Sequence, residues 1–155
     1  MSFEQAVLAD PFSVSLHAVL KAPPEAGTLA VVYGCGTLGL LTVAILNTLY
    51  PQVDVLAITR YPHQQKLARQ LGARYTVCDM KPVEIIEHVA GIAGGTIYRP
   101  WKGKPMLMKG AQRIYDTVGS PETLEVGIRI AQPQAKIVIT GVANPARFEW
   151  TPLYF

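Results

Sequence analysis

The stretch Leu29-Ala30-Val31-Val32-Tyr33-Gly34-Cys35-Gly36-Thr37-Leu38-Gly39-Leu40 runs from apolar residues directly into the pattern Gly-x-Gly-x-x-Gly. An uncharged segment of helical length, residues 40–49, follows it. The order strand, tight turn, helix is typical of units that bind a dinucleotide. In such a unit Gly34 allows the sharp turn, Gly36 lets the backbone approach a pyrophosphate, and Gly39 lets the helix pack on the strand. The phosphates would lie at the helix N-terminus, over Thr37 and Leu38, where unpaired N–H groups favour an anion.

Two other interpretations of this stretch are open. The glycine turn can be purely structural, and residues 29–50 carry no charge and are long enough to span a membrane. Three glycines within residues 34–39 argue against a membrane span. The strand before the glycines and the helix after them favour nucleotide binding over a structural turn.

The composition limits the class of protein. A chain of 155 residues, half of them apolar and 16% charged, is expected to fold as one globular domain. A net charge of +3 gives no sign of nucleic-acid binding. Cys35 and Cys78 form neither a disulfide framework nor a metal-binding pattern. Because the N-terminus lacks the features of a signal peptide, we expect a cytoplasmic protein without a membrane segment.

Strands and helices alternate along the rest of the chain. The strands after the first are predicted at residues 53–58, 75–78, 113–118 and 136–142, and the helices between them at residues 62–71, 82–90 and 121–131. The strands show almost no polar alternation, which indicates a parallel sheet covered on both faces. The predicted fold is therefore a doubly wound α/β Rossmann fold with three layers, α/β/α, and about five strands in the order 3-2-1-4-5.

Two segments lie outside this alternation. Residues 1–27, with a helix over residues 4–21, are expected to lead into a dinucleotide-binding domain at residues 28–155. Residues 94–112 are rich in Gly and Pro, carry four basic residues and no acidic one, and are predicted to be a loop. This loop is either a basic flap near anionic ligand groups or a solvated surface segment, and we favour the second interpretation.

Five motifs together resemble one protein family. They are Asp10-Pro-Phe-Ser-Val-Ser-Leu-His-Ala-Val19, Val32-Tyr-Gly-Cys-Gly-Thr-Leu-Gly39, Leu71-Gly-Ala73, Tyr115-Asp-Thr-Val-Gly119 and Val138-Ile-Thr-Gly-Val142. The combination resembles the coenzyme-binding domain of medium-chain, zinc-type alcohol dehydrogenases, and the first motif resembles the helix that leads into that domain in threonine and sorbitol dehydrogenases. The resemblance covers most of residues 6–142.

The resemblance implies an oxidoreductase that transfers a hydride between a nicotinamide cofactor and an alcohol or carbonyl compound. It implies that Thr117, Val118 and Gly119 lie beside the adenosine and the nicotinamide ribose, and that Gly141 and Val142 lie near the carboxamide. Family members bind zinc through a separate catalytic domain whose ligands are not in this sequence, so zinc is expected only in a full-length enzyme. We therefore assign no catalytic and no metal-binding residue, and we expect this chain to be a fragment that binds the nucleotide without performing chemistry.

The resemblance also leaves some partners and functions open. The expected partners are a nicotinamide dinucleotide and the catalytic domain of a parent enzyme. Because sheets of this family commonly associate edge to edge, a homo-oligomer is a further option. One alternative function is a stand-alone nucleotide-binding or redox-sensing module without catalysis, and a weaker one is binding of another adenine ligand such as S-adenosylmethionine.

The residues at the end of the second strand bear on the choice of cofactor. NAD-binding units place an acid there, which accepts hydrogen bonds from the ribose hydroxyls. This chain has Thr59 and Arg60 instead, which favours NADP over NAD because a hydroxyl and a guanidinium can bind a 2′-phosphate. Tyr61 or His63 is expected to cover the adenine or extend the phosphate pocket. Cys35 is expected to be a small neutral filler, with a lowered thiol pKa and sensitivity to oxidation as the lesser option.

Overall fold

The computed structural model describes residues 2–142, 147 and 151–154. Its helices are α1 (Phe3–Ala6), α2 (Ala9–Lys21), α3 (Thr37–Leu49), α4 (Pro62–Gln70), α5 (Pro82–Ala93) and α6 (Pro121–Ile130), and a 3-10 helix covers Thr151–Tyr154. Its strands are β1 (Leu29–Tyr33), β2 (Asp54–Thr59), β3 (Tyr75–Cys78), β4 (Ile97–Tyr98), β5 (Met106–Leu107), β6 (Ala111–Asp116) and β7 (Ala131–Ile139).

Five of the strands form one parallel sheet in the order β3-β2-β1-β6-β7. Counted within this sheet alone, the order is 3-2-1-4-5, and the predicted doubly wound α/β fold is confirmed. The chain changes direction across the sheet at β1, which pairs with β2 on one side and with β6 on the other. Ligands of such sheets bind at this point, beyond the carboxyl ends of the strands.

The three central strands of the sheet are buried on both faces, which explains their lack of polar alternation. Val31 and Tyr33 pack in one hydrophobic cluster with residues of α5 and α6. Ala30 and Val32 pack in a second cluster with residues of α2, α3 and α4. Every residue of β1 is therefore buried, as expected for a central strand of a three-layer fold.

Two strands differ in extent from the prediction. The strand predicted at residues 113–118 spans Ala111–Asp116, and the one predicted at residues 136–142 spans Ala131–Ile139. Residues 117–119 leave the strand because their backbone forms the turn into α6. β7 begins five residues early because Ala131, which ends α6, already has an extended backbone with ψ 145°.

The segment predicted as a loop at residues 94–112 contains a β-hairpin. In it β4 and β5 pair antiparallel, with Ile97 opposite Leu107. The buried Arg129 guanidinium fastens the hairpin to α6 by donating to the Lys104 carbonyl oxygen at 2.7 Å. The hairpin joins the end of α5 to the start of β6, so it enters the sheet at the amino end of β6. This position favours a surface segment over a flap near the ligand, and Trp101 at its tip is 97% exposed.

The uncharged stretch at residues 29–50 is divided between a strand and a helix of 13 residues. Over the part of the chain that the structure describes, we find no helix with both the length and the apolar character needed to cross a membrane.

Candidate functional site

The three glycines of the turn after β1 have different surroundings. Gly34 has φ +84°, and a Cβ atom there would overlap the Val118 side chain. A Cβ atom on Gly39 would overlap the Gly34 carbonyl oxygen, so α3 lies directly against the turn. At Gly36, by contrast, no atom lies within 4 Å of the Cβ position. Gly34 and Gly39 are therefore required by packing, whereas Gly36 faces open space into which a ligand can approach the backbone.

Helix α3 begins beside that open space. Its N-cap is the exposed Gly36, whose lack of a side chain leaves the first N–H groups without a side-chain acceptor, and its first turn contains no acidic residue. Thr37 is exposed, and the half-buried Leu38 is fixed through its carbonyl oxygen, which accepts a hydrogen bond from the Ser15 hydroxyl at 3.1 Å. The positive end of this helix is thus available to an anion.

The turn after β6 is held against the turn after β1. The Thr117 hydroxyl donates to the Gly34 carbonyl oxygen at 2.8 Å, and the Thr117 N–H donates to the Tyr33 carbonyl oxygen at 2.9 Å. Thr117 therefore fixes the distance between the two strand ends. Because the Thr117 hydroxyl already donates its proton to the Gly34 carbonyl oxygen, it has no proton left to donate to a ligand in this arrangement.

The buried Asp116 carboxylate fixes the same turn from inside. It accepts hydrogen bonds from the backbone N–H groups of Val118 and Gly119, both at 2.9 Å, and from the Thr123 hydroxyl at 2.8 Å. Our sequence analysis did not single out Asp116. The signal was an acidic residue at the end of a buried strand, immediately before Thr-Val-Gly.

Three further predicted residues, Gly119, Gly141 and Val142, lie just beyond the ends of β6 and β7. Gly119 has φ +71°, and a Cβ atom there would lie 2.8 Å from the Gly141 carbonyl oxygen. A Cβ atom on Gly141 would in turn overlap the backbone of Val118. These two glycines allow the two strand ends to approach each other. Val142 follows them and is 98% exposed.

A cavity of about 460 Å³ opens at the carboxyl ends of β1, β2, β3 and β6. Four of the predicted residues line it together, namely Gly34, Thr59, Arg60 and Val118. The other predicted residues do not line it, although Thr117 and Gly119 are adjacent to it in the chain. The cavity is also lined by residues that our sequence analysis did not propose, among them Tyr33, Asp79, Met80, Ser120, Glu122 and Thr123. Tyr33, Asp79 and Met80 lie at or just after a strand end, whereas Ser120, Glu122 and Thr123 lie at the start of α6.

The two residues at the end of β2 have unequal access to the cavity. Thr59 is buried, and its hydroxyl donates to the Val77 carbonyl oxygen at 2.8 Å, so its proton is not available to a phosphate in this arrangement. Arg60 is exposed, and its guanidinium lies 5.7 Å from the ring centroid of Tyr61. Tyr61 stacks on His63 with ring centroids 5.6 Å apart. The charge available for a phosphate at this strand end is therefore that of Arg60.

Burial raises the pKa values of two groups in the strand and turn of this stretch, Tyr33 and Cys35. It raises the pKa of the Tyr33 phenol to about 12, and the Glu122 and Asp116 carboxylates add to that increase. It also raises the pKa of the Cys35 thiol to about 12. The interpretation of Cys35 as a thiol with a lowered pKa is wrong, because the cost of a buried thiolate outweighs the helix N-terminus.

The described residues do not form a site for a metal ion. Across residues 2–142 and the few described beyond them, no group of three or more His, Cys, Asp or Glu side chains is placed to hold one.

Comparison with known proteins identifies similar chains. Residues 37–155 match the family model described as zinc-binding dehydrogenase. The (R,R)-butanediol dehydrogenase of Bacillus subtilis (strain 168) is 32% identical over 130 residues, which are 83% of this chain and 36% of that enzyme. The chain thus spans about a third of the length of this curated relative.

Solved structures show the same architecture. The crystal structure of 2R,3R-butanediol dehydrogenase from Bacillus subtilis superposes with a TM-score of 0.78 at 26% identity, over 99% of this chain and 40% of that one. A zinc-binding dehydrogenase from Sinorhizobium meliloti 1021, solved with bound NADP, superposes with a TM-score of 0.70 at 28% identity, over 93% of this chain and 39% of that one.

Proposed function

The chain belongs to the zinc-binding dehydrogenase family, and we propose that it is the part of such an enzyme that binds the nicotinamide dinucleotide. The observation that carries this proposal is the open space at Gly36. The backbone there meets no other atom within 4 Å of the Cβ position, beside the uncapped N-terminus of α3. A pyrophosphate needs such a combination of close backbone approach and unpaired N–H groups.

The two halves of the dinucleotide would extend in opposite directions from Gly36. The adenosine half would enter the cavity between Arg60 and Val118, whose volume of about 460 Å³ is within the range of small-molecule sites. The nicotinamide half would lie over the ends of β6 and β7, near Thr117, Gly141 and the exposed Val142. The bound nicotinamide supplies the position that accepts or donates a hydride. The residues of this chain bind and orient it.

We propose NADP as the preferred form. The end of β2 carries Thr59 at the position where NAD-binding units have an acid, which would repel a 2′-phosphate. The next residue, Arg60, lines the cavity, and a charge-assisted hydrogen bond from its guanidinium favours the phosphate. The relative from Sinorhizobium meliloti was solved with bound NADP, which supports this choice. Because the Thr59 hydroxyl donates to the Val77 carbonyl oxygen, the proposed preference for NADP depends on Arg60 alone.

Hydride transfer to an alcohol or carbonyl substrate would require a catalytic domain that carries the zinc ligands. We propose that such a domain covers the outer face of α1 and α2. Large apolar side chains are exposed there, among them Phe3, Phe12 and Leu20. Asp10, which lies in the first turn of α2, would face the same domain.

Fluorescence titration with NADPH and NADH tests the proposal. We expect NADPH to bind about ten-fold more tightly than NADH, and the Arg60→Ala variant to lose that difference while its NADH affinity stays the same. The matched control is Arg99→Ala, which removes an exposed arginine from the hairpin at the other end of the sheet. Equal affinities for both cofactors would overturn the NADP preference, and binding of neither cofactor would overturn the proposed function.

A further inference from the structure

The hairpin of β4 and β5 is fixed at its base and exposed at its tip. At the base, Leu107 packs in the hydrophobic cluster that α5 and α6 form with the sheet. A Cβ atom on Gly95 would overlap the Lys109 carbonyl oxygen, so the two ends of the hairpin lie directly against each other. Residues 101–104 at the tip are all exposed. The fold therefore holds the tip in solvent on a rigid support.

The hairpin exposes large apolar and aromatic side chains. The indole of Trp101 at the tip is 97% exposed. Tyr98 lies opposite Met106, and Met108 follows two residues later, so these three side chains share one face of the ribbon. Tyr98 and Met108 on this face are about half exposed. Several such side chains left in water within one short element indicate a surface that meets a partner.

The same hairpin carries unbalanced positive charge. Residues 88–115 contain no Asp or Glu. Of the four basic side chains in residues 94–112, two are paired with carboxylates of α5 and α6. The other two, Lys102 and Lys109, are exposed, and the described residues provide no ion-pair partner for either. The partner that complements this surface is therefore anionic.

The shape and chemistry of the tip favour a lipid surface among anionic partners. Tryptophan and tyrosine rings concentrate at the boundary between lipid headgroups and hydrocarbon, because one end of each ring is apolar and the other is polar. Lysines beside them are attracted to anionic headgroups. A nucleic acid strand requires instead a basic groove with a series of stacking rings. One projecting indole with two free lysines in the same hairpin is suited to insertion into a flat, anionic surface.

We propose that the tip of this hairpin docks on the surface of an anionic lipid bilayer, with the Trp101 indole among the headgroups and Lys102 and Lys109 bound to their negative charges. The hairpin enters the sheet at the amino end of β6, whereas the proposed nucleotide site lies at the carboxyl ends of the strands. The two surfaces can therefore be occupied together. This inference goes beyond the proposed function and does not depend on it.

Sedimentation of the 155-residue chain with lipid vesicles tests the proposal. We expect binding to phosphatidylcholine vesicles that contain about 30% phosphatidylserine, and none to phosphatidylcholine alone. The binding should be lost in about 1 M salt, where charges are screened within about 3 Å. Lys102→Gln and Lys109→Gln should each weaken it about five-fold. Lys66→Gln removes an exposed lysine from α4, on the other face of the sheet, and should leave it unchanged.

The role of Trp101 has its own measurements. Trp101→Ala should weaken vesicle binding by at least about ten-fold, because the indole supplies most of the apolar surface that would enter the headgroups. Trp150→Phe leaves Trp101 as the single tryptophan of the chain. Its fluorescence emission should shift to shorter wavelength when anionic vesicles are added and should stay unchanged with phosphatidylcholine vesicles. A melting curve for each variant verifies that it is folded.

Three results would overturn the proposal. The first is vesicle binding that is equally strong in Trp101→Ala, or that leaves the emission of the single Trp101 unchanged. The second is equal binding to vesicles with and without phosphatidylserine. The third is binding of a single-stranded oligonucleotide by the unaltered chain together with no binding of anionic vesicles, which would assign the hairpin to nucleic acid instead.

Discussion

The α-carbon of Gly39 lies so close to the carbonyl oxygen of Gly34 that a methyl group on Gly39 would overlap that oxygen. The first turn of α3 therefore packs directly on the turn that follows β1. Gly34 itself is held by the Thr117 hydroxyl, which donates to the same oxygen at 2.8 Å. This contact joins the start of the helix, the end of β1 and the end of β6 into one rigid unit.

From this contact we expect Gly39→Ala to lower the free energy of unfolding by at least about 2 kcal/mol, because the backbone must shift to admit the methyl group. Urea denaturation followed by circular dichroism measures the change. Gly91→Ala is the control, since the structure leaves open space at Gly91 within α5. Equal stability of the two variants would contradict the close packing of Gly39.

The buried Asp116 is expected to be the main support of the turn after β6. Asp116→Ala removes the acceptor of two backbone N–H groups and of the Thr123 hydroxyl, and should cost about 2–4 kcal/mol in unfolding free energy. Asp54→Ala is the comparison, because Asp54 pairs with Arg74 at the surface and should hardly affect stability. A similar loss in both variants would show that Asp116 does not organise the turn.

The hairpin of β4 and β5 should depend on Arg129. Arg129→Met leaves the Lys104 carbonyl and the Glu125 carboxylate without their buried partner, so we expect a loss of about 3 kcal/mol. Hydrogen exchange of the Met108 amide, which donates to the Thr96 carbonyl oxygen, reports on the hairpin directly. Arg99→Met, which breaks an exposed ion pair with Glu87, should leave that exchange rate unchanged. Unaltered exchange in Arg129→Met would show that the hairpin is held by other contacts.

We expect the buried Cys35 thiol to lower the free energy of unfolding at alkaline pH. Burial raises the thiol pKa from 9.0 to about 12, so the folded state keeps a proton that the unfolded state loses. This contribution is complete below pH 9 and disappears as the pH rises toward 12. Unfolding free energies measured from pH 8 to pH 11 should fall less steeply in Cys35→Ala than in Cys78→Ala. Identical slopes would contradict the raised pKa of Cys35.

Most strands of the parallel sheet could be predicted from the sequence. The glycine turn predicted β1, α3 and β2, and short runs with little polar alternation predicted the other three strands of the sheet. Of these three, only β6 is a central strand that is buried over its whole length. The hairpin was not predicted, since strands of two residues are too short to show a periodicity. The early start of β7 was missed because Pro133 and Gln134, which has φ +62°, are unfavourable in a strand and are tolerated here at the edge of the sheet.

The candidate site was only partly predictable. Gly34, Arg60 and Val118 were identified from motif positions, and the structure brings them to one cavity. Tyr33 and Glu122 were not identified from the sequence, because a tyrosine at a strand end and an acid in the first turn of a helix have ordinary structural explanations. Only the packing shows that both line the same space. The hydrogen bond from Thr59 to Val77 likewise depends on the neighbouring strand, which local sequence does not reveal.

The central claim is that a pyrophosphate lies over Gly36, and the most direct test is NADH titration of Gly36→Val against the unaltered chain. Open space around Gly36 and its φ of −72° mean that valine fits the folded protein, so the melting temperature should change little. The added side chain would occupy the phosphate position, and we predict that affinity falls at least ten-fold. Unchanged affinity in a fully folded Gly36→Val variant would contradict the account.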